Sequence, residues 1–281
     1  MGWPSGSKQE ARGDSTVAAI LTWILPGAGH LYLGMPLFGL IAFLLVEGLY
    51  LVGLRLSDGM LFEYLEPDLR SNLAGALTPE VGNLGALVYH MKAYGYGTGN
   101  MRVWPELMWL GCWLTACSGI LNVCLMVRAH SDARAPKQHE SSGAFGRVAV
   151  DVLAAWAVPG LGHWLQGRRR RALAFLCLLG GMLLLGTLLA QGSNLSRERH
   201  FYYWAGQSLA GLPALLLQVV AGRGLVQGDI PYADAGLDLA CLAGLLNVLA
   251  MIDAYTYAEK RALEAPAEPD PAPVPLQGGS S

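Results

Sequence analysis

Trp23-Ile24-Leu25-Pro26-Gly27-Ala28-Gly29-His30 returns further along the chain as Trp156-Ala157-Val158-Pro159-Gly160-Leu161-Gly162-His163. Gly34 and Gly167 keep the same register, and a second block, Gly119-Ile120-Leu121-Asn122-Val123, returns as Gly244-Leu245-Leu246-Asn247-Val248. Matches at both ends of each half identify a tandem duplication. The Pro-Gly-x-Gly-His string ends a helix. Proline lacks the amide that would carry the helix on, and the glycines accept a left-handed backbone or a close neighbour. The apolar stretches leading into it, Thr16 to Leu25 and Val148 to Val158, are too short to cross a hydrocarbon core of about 30 Å at about 1.5 Å per residue.

Working outward, four apolar stretches are long enough to span: Pro36 to Arg55, Trp104 to Arg128, Arg171 to Gln191 and Leu237 to Ala258. Two weaker, Gly-containing apolar segments, Leu77 to Met91 and Leu209 to Ala221, lie between the spans of each half. The 281 residues are 53% hydrophobic and 14% charged, against about 25% charged in soluble domains. The expected fold is an all-α membrane protein of two parallel tandem repeats. Each repeat is a short interfacial or re-entrant helix ending at the turn plus two transmembrane helices, giving four firm spans and up to six membrane-embedded helices. The expected divisions are a polar N-terminal segment (1–14), repeat 1 (15–130), a cytoplasmic linker (131–145), repeat 2 (146–260) and a Pro/Ala-rich tail of disordered composition (261–281).

Positive charges set the orientation. Lys8, Arg12, Arg128, Arg134, Lys137, Arg147, the run Arg168-Arg169-Arg170-Arg171, and Lys260-Arg261 all fall on one side if each repeat has two true spans. The positive-inside rule makes that side cytoplasmic, with both termini there. The acids Asp58, Glu63, Glu66, Asp68, Glu80, Asp229 and Asp234, and aromatics such as Tyr94, Tyr96, Trp104 and Tyr202, fall on the other. A net charge of −2 and the lack of a basic stripe exclude a nucleic-acid binder. The N-terminus lacks the pattern of a signal peptide, and the five cysteines carry no ligand or haem spacing. No Walker loop, dinucleotide fingerprint, serine elbow or zincin motif is present. The chain is therefore read as non-enzymatic, with no cofactor and no metal.

The motif residues are Pro26, Gly27, Gly29, His30 and Gly34 in the first repeat and Pro159, Gly160, Gly162, His163 and Gly167 in the second. Each histidine is expected to donate to a carbonyl freed by the break in the helix. The alternative makes His30 and His163 a pair lining one site, as ligands or proton carriers. Asn122 and Asn247 sit inside the last span of each repeat and are expected to bond a neighbouring helix, including the broken backbone at the turn. Asp253 aligns with Arg128, which raises a pairing across the repeats, against ordinary solvation of both side chains near the membrane edge. Glu47 stands among Phe43, Leu44, Leu45 and Val46, with Gly180 as its counterpart. An ionisable residue at that depth is a functional candidate; the alternative is a protonated acid bonded to a neighbouring helix, or one snorkelling outward. Gly111, Gly119, Gly180-Gly181 and Gly186 suit close helix approach.

The string Pro26 to Gly34, Pro-Gly-x-Gly-His-x-Tyr-x-Gly, resembles the two-transmembrane-helix (TM-two) domain family, and the stretch Leu245 to Tyr255, with Asp253, looks like that family's second span. The second copy departs at Leu165 where the first has Tyr32, and the first at Arg128 where the second has Asp253. The resemblance implies a membrane location and the fold, in the manner of uncharacterised bacterial inner-membrane proteins. Beside it, the expectation is a scaffold or accessory subunit whose partners are the lipid bilayer and a membrane protein or a second copy. A small transporter or channel-like module using Glu47 and the histidines is the alternative, and a lipid-acting membrane enzyme the third.

Overall fold

The computed structural model describes residues 12–63, 78–95, 103–134, 144–221 and 230–264. Lys8, Glu66, Asp68, Tyr96, Lys137, Asp229 and the tail beyond residue 264 lie outside the described residues. The first copy contains α1 (Ser15–Ile24), α2 (Ala28–Tyr32), α3 (Pro36–Leu56), α4 (Leu84–Tyr94) and α5 (Met108–Arg134). The second contains α6 (Ala144–Ala157), α7 (Leu161–Leu165), α8 (Arg169–Leu189), α9 (Phe201–Ser208), α10 (Leu212–Ala221) and α11 (Ala233–Glu264). The described residues hold no strand. Helices α3, α5, α8 and α11 are long and apolar enough to cross a membrane. Their outer faces carry exposed leucines such as Leu37, Leu44, Leu184 and Leu188, which suit an apolar surround.

Each copy is built on an antiparallel pair of spans. Gly53 of α3 lies against Gly111 of α5, and Gly186 of α8 lies against Gly236 of α11. In each pair a side chain on either glycine would meet the partner's carbonyl oxygen. The helices therefore touch backbone to backbone, which stands in for the hydrophobic drive that lipid does not supply. α5 and α11 run on beyond the stretches the apolar pattern marks, because contacts between the copies hold their ends. Arg134 Nη1 donates to Glu259 Oε1 at 2.9 Å, and the Tyr255 hydroxyl donates to the same carboxylate at 2.7 Å while facing His130 Nδ1 at 3.0 Å. At the opposite end of the bundle, Trp113 meets the edge of Trp204 at 5.5 Å. The same ends of the two copies thus lie side by side, which is the parallel arrangement. We call these the turn end, where α3 and α8 begin, and the loop end.

The short segments form a third column that is broken in the middle. α1 enters from the turn end, capped by the Asp14 carboxylate on the Thr16 and Val17 amides, and runs beside α5 until Pro26 stops it. The chain then turns at Gly27 (φ +80), where a side chain would strike the Gly39 carbonyl, and α2 doubles back along α1 before α3 crosses. Gly160 (φ +87) does the same against Ala172. From the loop end, a short 3-10 turn (Pro79–Gly82) reaches inward, and α4 runs back out from its N-cap Asn83. The carbonyl end of α1 abuts the amino end of α4: Trp23 Nε1 donates to the Val81 carbonyl at 2.7 Å, and Gly85 admits the Ile24 oxygen. In the second copy α6 meets α10 in the same way, Gly211 lying on the Trp156 oxygen. Helices of 10 and 11 residues stacked end to end reach about 30 Å, the thickness of a hydrocarbon core. Each short helix and the weak apolar segment that follows it in the same copy are thus the two halves of one broken column.

Candidate functional site: a polar core between the copies

A helix stopped by proline leaves one carbonyl without its donor, the one four residues earlier. For Pro26 that is Thr22, and for Pro159 it is Ala155. Asn122 Nδ2 donates to the Thr22 oxygen at 2.8 Å and to the Gly82 oxygen at 2.9 Å. Asn247 Nδ2 donates to the Ala155 oxygen at 3.1 Å and to the Leu209 oxygen at 3.0 Å. One amide in each copy therefore satisfies both halves of the broken column, each bond falling where no water can replace it.

The histidines do not take the role expected of them. His30 is fully buried, neither ring nitrogen has a hydrogen-bond partner, and its ring packs on Phe38 at 4.7 Å. Arg128 caps the other side of this group, its guanidinium 4.0 Å from the Phe38 centroid, and it pairs with Asp132 at 3.3 Å rather than with Asp253. Burial, with Arg128 adding to it, lowers the His30 pKa to about 4. His163 packs on Phe175 at 4.7 Å, and its Nε2 lies 2.9 Å from Asp253 Oδ2. Asp253 is gathered by Arg168 at 2.6 Å and Arg171 at 3.3 Å, all within the second copy. Burial again lowers the His163 pKa, against the opposing pull of the Asp253 hydrogen bond. The freed carbonyl goes to asparagine because Asn122 and Asn247 stand level with it, while each histidine sits on the far limb of the turn. No contact among the described residues brings His30 and His163 together.

Glu47 is half-buried and faces Asn83, so it is turned to a neighbouring helix. Asn83 Nδ2 also donates to Ser118 Oγ at 3.0 Å. One turn on from Glu47, the Tyr50 hydroxyl lies 3.1 Å from His90 Nδ1, and His90 Nε2 lies 3.1 Å from the Gly59 oxygen. A carbonyl only accepts, so Nε2 carries the proton and Nδ1 receives the Tyr50 hydroxyl. Tyr50 and His90 are fully buried.

This group leads to a pair that the sequence reasoning missed. Glu80 Oε1 receives Arg197 Nη1 at 2.9 Å and Thr115 Oγ1 at 2.9 Å, with the two charged side chains 0% and 3% exposed. Glu80 belongs to the first copy and Arg197 to the second. The guanidinium is walled by Trp204, Phe201 and Phe62, whose centroids lie 4.7, 5.4 and 5.7 Å away. Glu80 Oε2 is buried without a partner. Glu80 had been grouped with the solvated acids of the outer segment. The signal was its place between Pro79 and Gly82-Asn83 inside an apolar stretch, the argument already applied to Glu47. A cation held among aromatic faces, against a carboxylate, is a strong interaction only while both partners are present.

The arrangement can hold charge out of water and can lock the copies together at the loop end. Beside it, a cavity of about 570 Å³ opens between the copies. Its walls are apolar, with Pro79, Val81 and Ile120 from one copy and Leu245, Val248 and Met251 from the other; neither Glu47 nor either histidine lines it. No group of three or more potential metal ligands is found among the described residues.

A family model described as a family of unknown function (DUF6677) matches residues 17–141 and again residues 150–266. The chain belongs to this family, and carries its unit twice. Nothing among curated proteins and nothing among solved structures matches the chain.

Proposed function

We propose that this DUF6677 protein is a non-enzymatic scaffold or accessory subunit of a membrane complex. The observation that carries the reading is a pair of equivalent glycines on the outer faces of the first span of each copy. Gly48 and Gly181 have nothing within 4 Å where a side chain would stand, unlike Gly53, Gly111, Gly186 and Gly236. Gly180 beside Gly181 is equally open. Helices associate in lipid through such small residues, and the chain's own packing leaves these unused. The apolar lining of the cavity between the copies supports the same reading over a path for ions or polar substrates. Replacing both glycines by leucine and purifying the protein in mild detergent tests it. A stoichiometric partner, or a second copy, should accompany the unaltered protein and be lost from the Gly48→Leu, Gly181→Leu variant. A lone monomer in both preparations sinks the idea.

The location we propose is a bacterial inner membrane, with the turn end and both termini in the cytoplasm. Arg168 to Arg171 and Arg134 at that end support it through the positive-inside rule. The likeness to the TM-two family at the turn and spans supports the bacterial membrane setting.

The broken columns and the buried Glu80–Arg197 pair favour a second reading, a transport module in an occluded state. Discontinuous helices surround coupling sites in many transporters. Reconstituted vesicles would then show a proton-coupled flux that Glu47→Gln abolishes. Unchanged flux in that variant removes this reading.

A further inference from the structure

At the turn end of the second copy lies a pocket of about 130 Å³ whose polar wall is Arg147, Asp151, Gln166, Tyr257 and Arg261, the rest being apolar side chains such as Val148 and Leu165. We propose that it binds a phosphate-type anion, received by the Arg147 and Arg261 guanidiniums. Both arginines are exposed, and neither has an ion-pair partner among the described residues. Two guanidiniums on the wall of one pocket offer the paired donors that match the oxygens of a phosphate.

The pocket is a construction of the second copy alone. Gln166 is buried and held rigidly: its Nε2 donates to Asp151 Oδ2 at 3.1 Å and to the Ala254 oxygen at 2.8 Å, and its Oε1 accepts Arg168 Nη1 at 3.1 Å. Arg168 in turn lies 4.6 Å from the Tyr257 ring centroid and fixes that wall. In the register of the repeat, Asp151 and Gln166 stand where the first copy has Ala18 and Leu33. There Ala18, Leu33, Ala129 and Ala133 close into a small apolar core. The second copy has opened the same place and set two unpaired cations on its rim. Asp151 is the acid that faces them, and the Gln166 amide engages its carboxylate, so the rim keeps a net positive charge.

The pocket's position points to a ligand source. It sits beside the end of α11 and the Arg168–Arg171 start of α8, at the level where the phosphates of a bilayer lie. An anionic phospholipid headgroup and a free phosphate share the recognised chemistry.

The full-length protein in phosphatidylcholine nanodiscs should be titrated with short-chain phosphatidylglycerol and, separately, with inorganic phosphate, by calorimetry. Saturable binding of at least one probe is expected. Lipid alone identifies a headgroup site; phosphate binding as well identifies a site for the free anion. Arg147→Gln with Arg261→Gln should weaken the binding by about tenfold or more. Arg169→Gln with Arg170→Gln, the same charge change outside the pocket, should leave it within about twofold. Arg147→Lys with Arg261→Lys keeps the charge but not the fork, and should fall between. Absence of saturable binding by either probe overturns the proposal. So does an equal loss in the two glutamine pairs, or lysine variants that bind as well as the arginines, since either result means diffuse surface charge.

Discussion

The two copies share a backbone plan yet differ in which positions at each end are polar. In the first copy the loop end holds Glu47, Tyr50, Thr115 and Ser118, where the second has Gly180, Leu183, Ala240 and Ala243. Glu80 has Gln207 as its counterpart, since Pro79 packs on Gly119 as Gly206 packs on Gly244. Gln207 makes a neutral pair with Asn194, at 2.7 and 2.8 Å, instead of an ion pair. At the turn end the relation reverses. The second copy has Asp151, Gln166, Arg168 and Arg171 where the first has Ala18, Leu33, Met35 and Phe38. What stays constant is the proline, the left-handed glycine and the asparagine. Those residues solve the backbone problem of a broken column, which every copy must solve; the charged residues are free to specialise.

Four measurements test that contrast, in descending order of expected effect. Arg197→Met strands the buried Glu80 carboxylate and should cost about 3–5 kcal/mol of stability, most of it recovered by adding Glu80→Gln. The counterpart Gln207→Ala should cost about 1–3 kcal/mol. Thermal unfolding in detergent compares the two, and equal losses would erase the distinction between a charged and a neutral loop end.

Acid comes next. The pKa of His30 falls from 6.5 in the unfolded chain to about 4 in place, so the unfolded state binds the extra proton between those values. Stability from this group is full above about 6.5, declines as the pH falls to about 4, and is then exhausted. The loss is at most about 3 kcal/mol. The His163 pKa is also lowered, but Asp253 opposes the shift, so His30→Gln should flatten the acid slope more than His163→Gln. A pH series of melting temperatures decides, and the reverse ranking would contradict the burial argument.

Asn122→Ala and Asn247→Ala should each cost about 1–3 kcal/mol, because two buried carbonyls lose their donor. Here the copies should agree, and a loss confined to one would mean the other column is held by something else. Asp253→Asn should cost less than about 1 kcal/mol, since the Asp253 side chain is 40% exposed and its arginines are partly solvated.

Much of this was legible in the chain. The spans follow from apolar length, and the shortness of α1 and α6 from the Pro-Gly that ends each apolar run. Proline even names the carbonyl it frees. The donor to that carbonyl is less accessible: Asn122 follows Thr22 by 100 residues, and no local pattern couples them. The end-to-end joint of α1 with α4, and the pairing of Glu80 with a residue 117 positions on, are tertiary facts of the same kind. The Arg128–Asp253 contact that the alignment raised as an alternative to solvation is not made, for a definite reason. Aligning the copies shows which residues are equivalent, not which ones meet, and the partners of Asp253 came from the start of α8, where Arg168 and Arg171 replaced Met35 and Phe38.

The broken column also sets a timetable for synthesis. α1 cannot settle at its final depth until Asn122 exists to receive its last carbonyl, and at about 5–20 residues per second the 100 intervening residues take about 5–20 s to make. Throughout that interval the Thr22 carbonyl lacks the donor it has in the finished fold, while all of α3 has already been made. Assembly therefore runs out of chain order in each copy, the two through-going helices first and the half-helices last. A ribosome stalled before residue 122 should leave α1 open to labelling from the aqueous side.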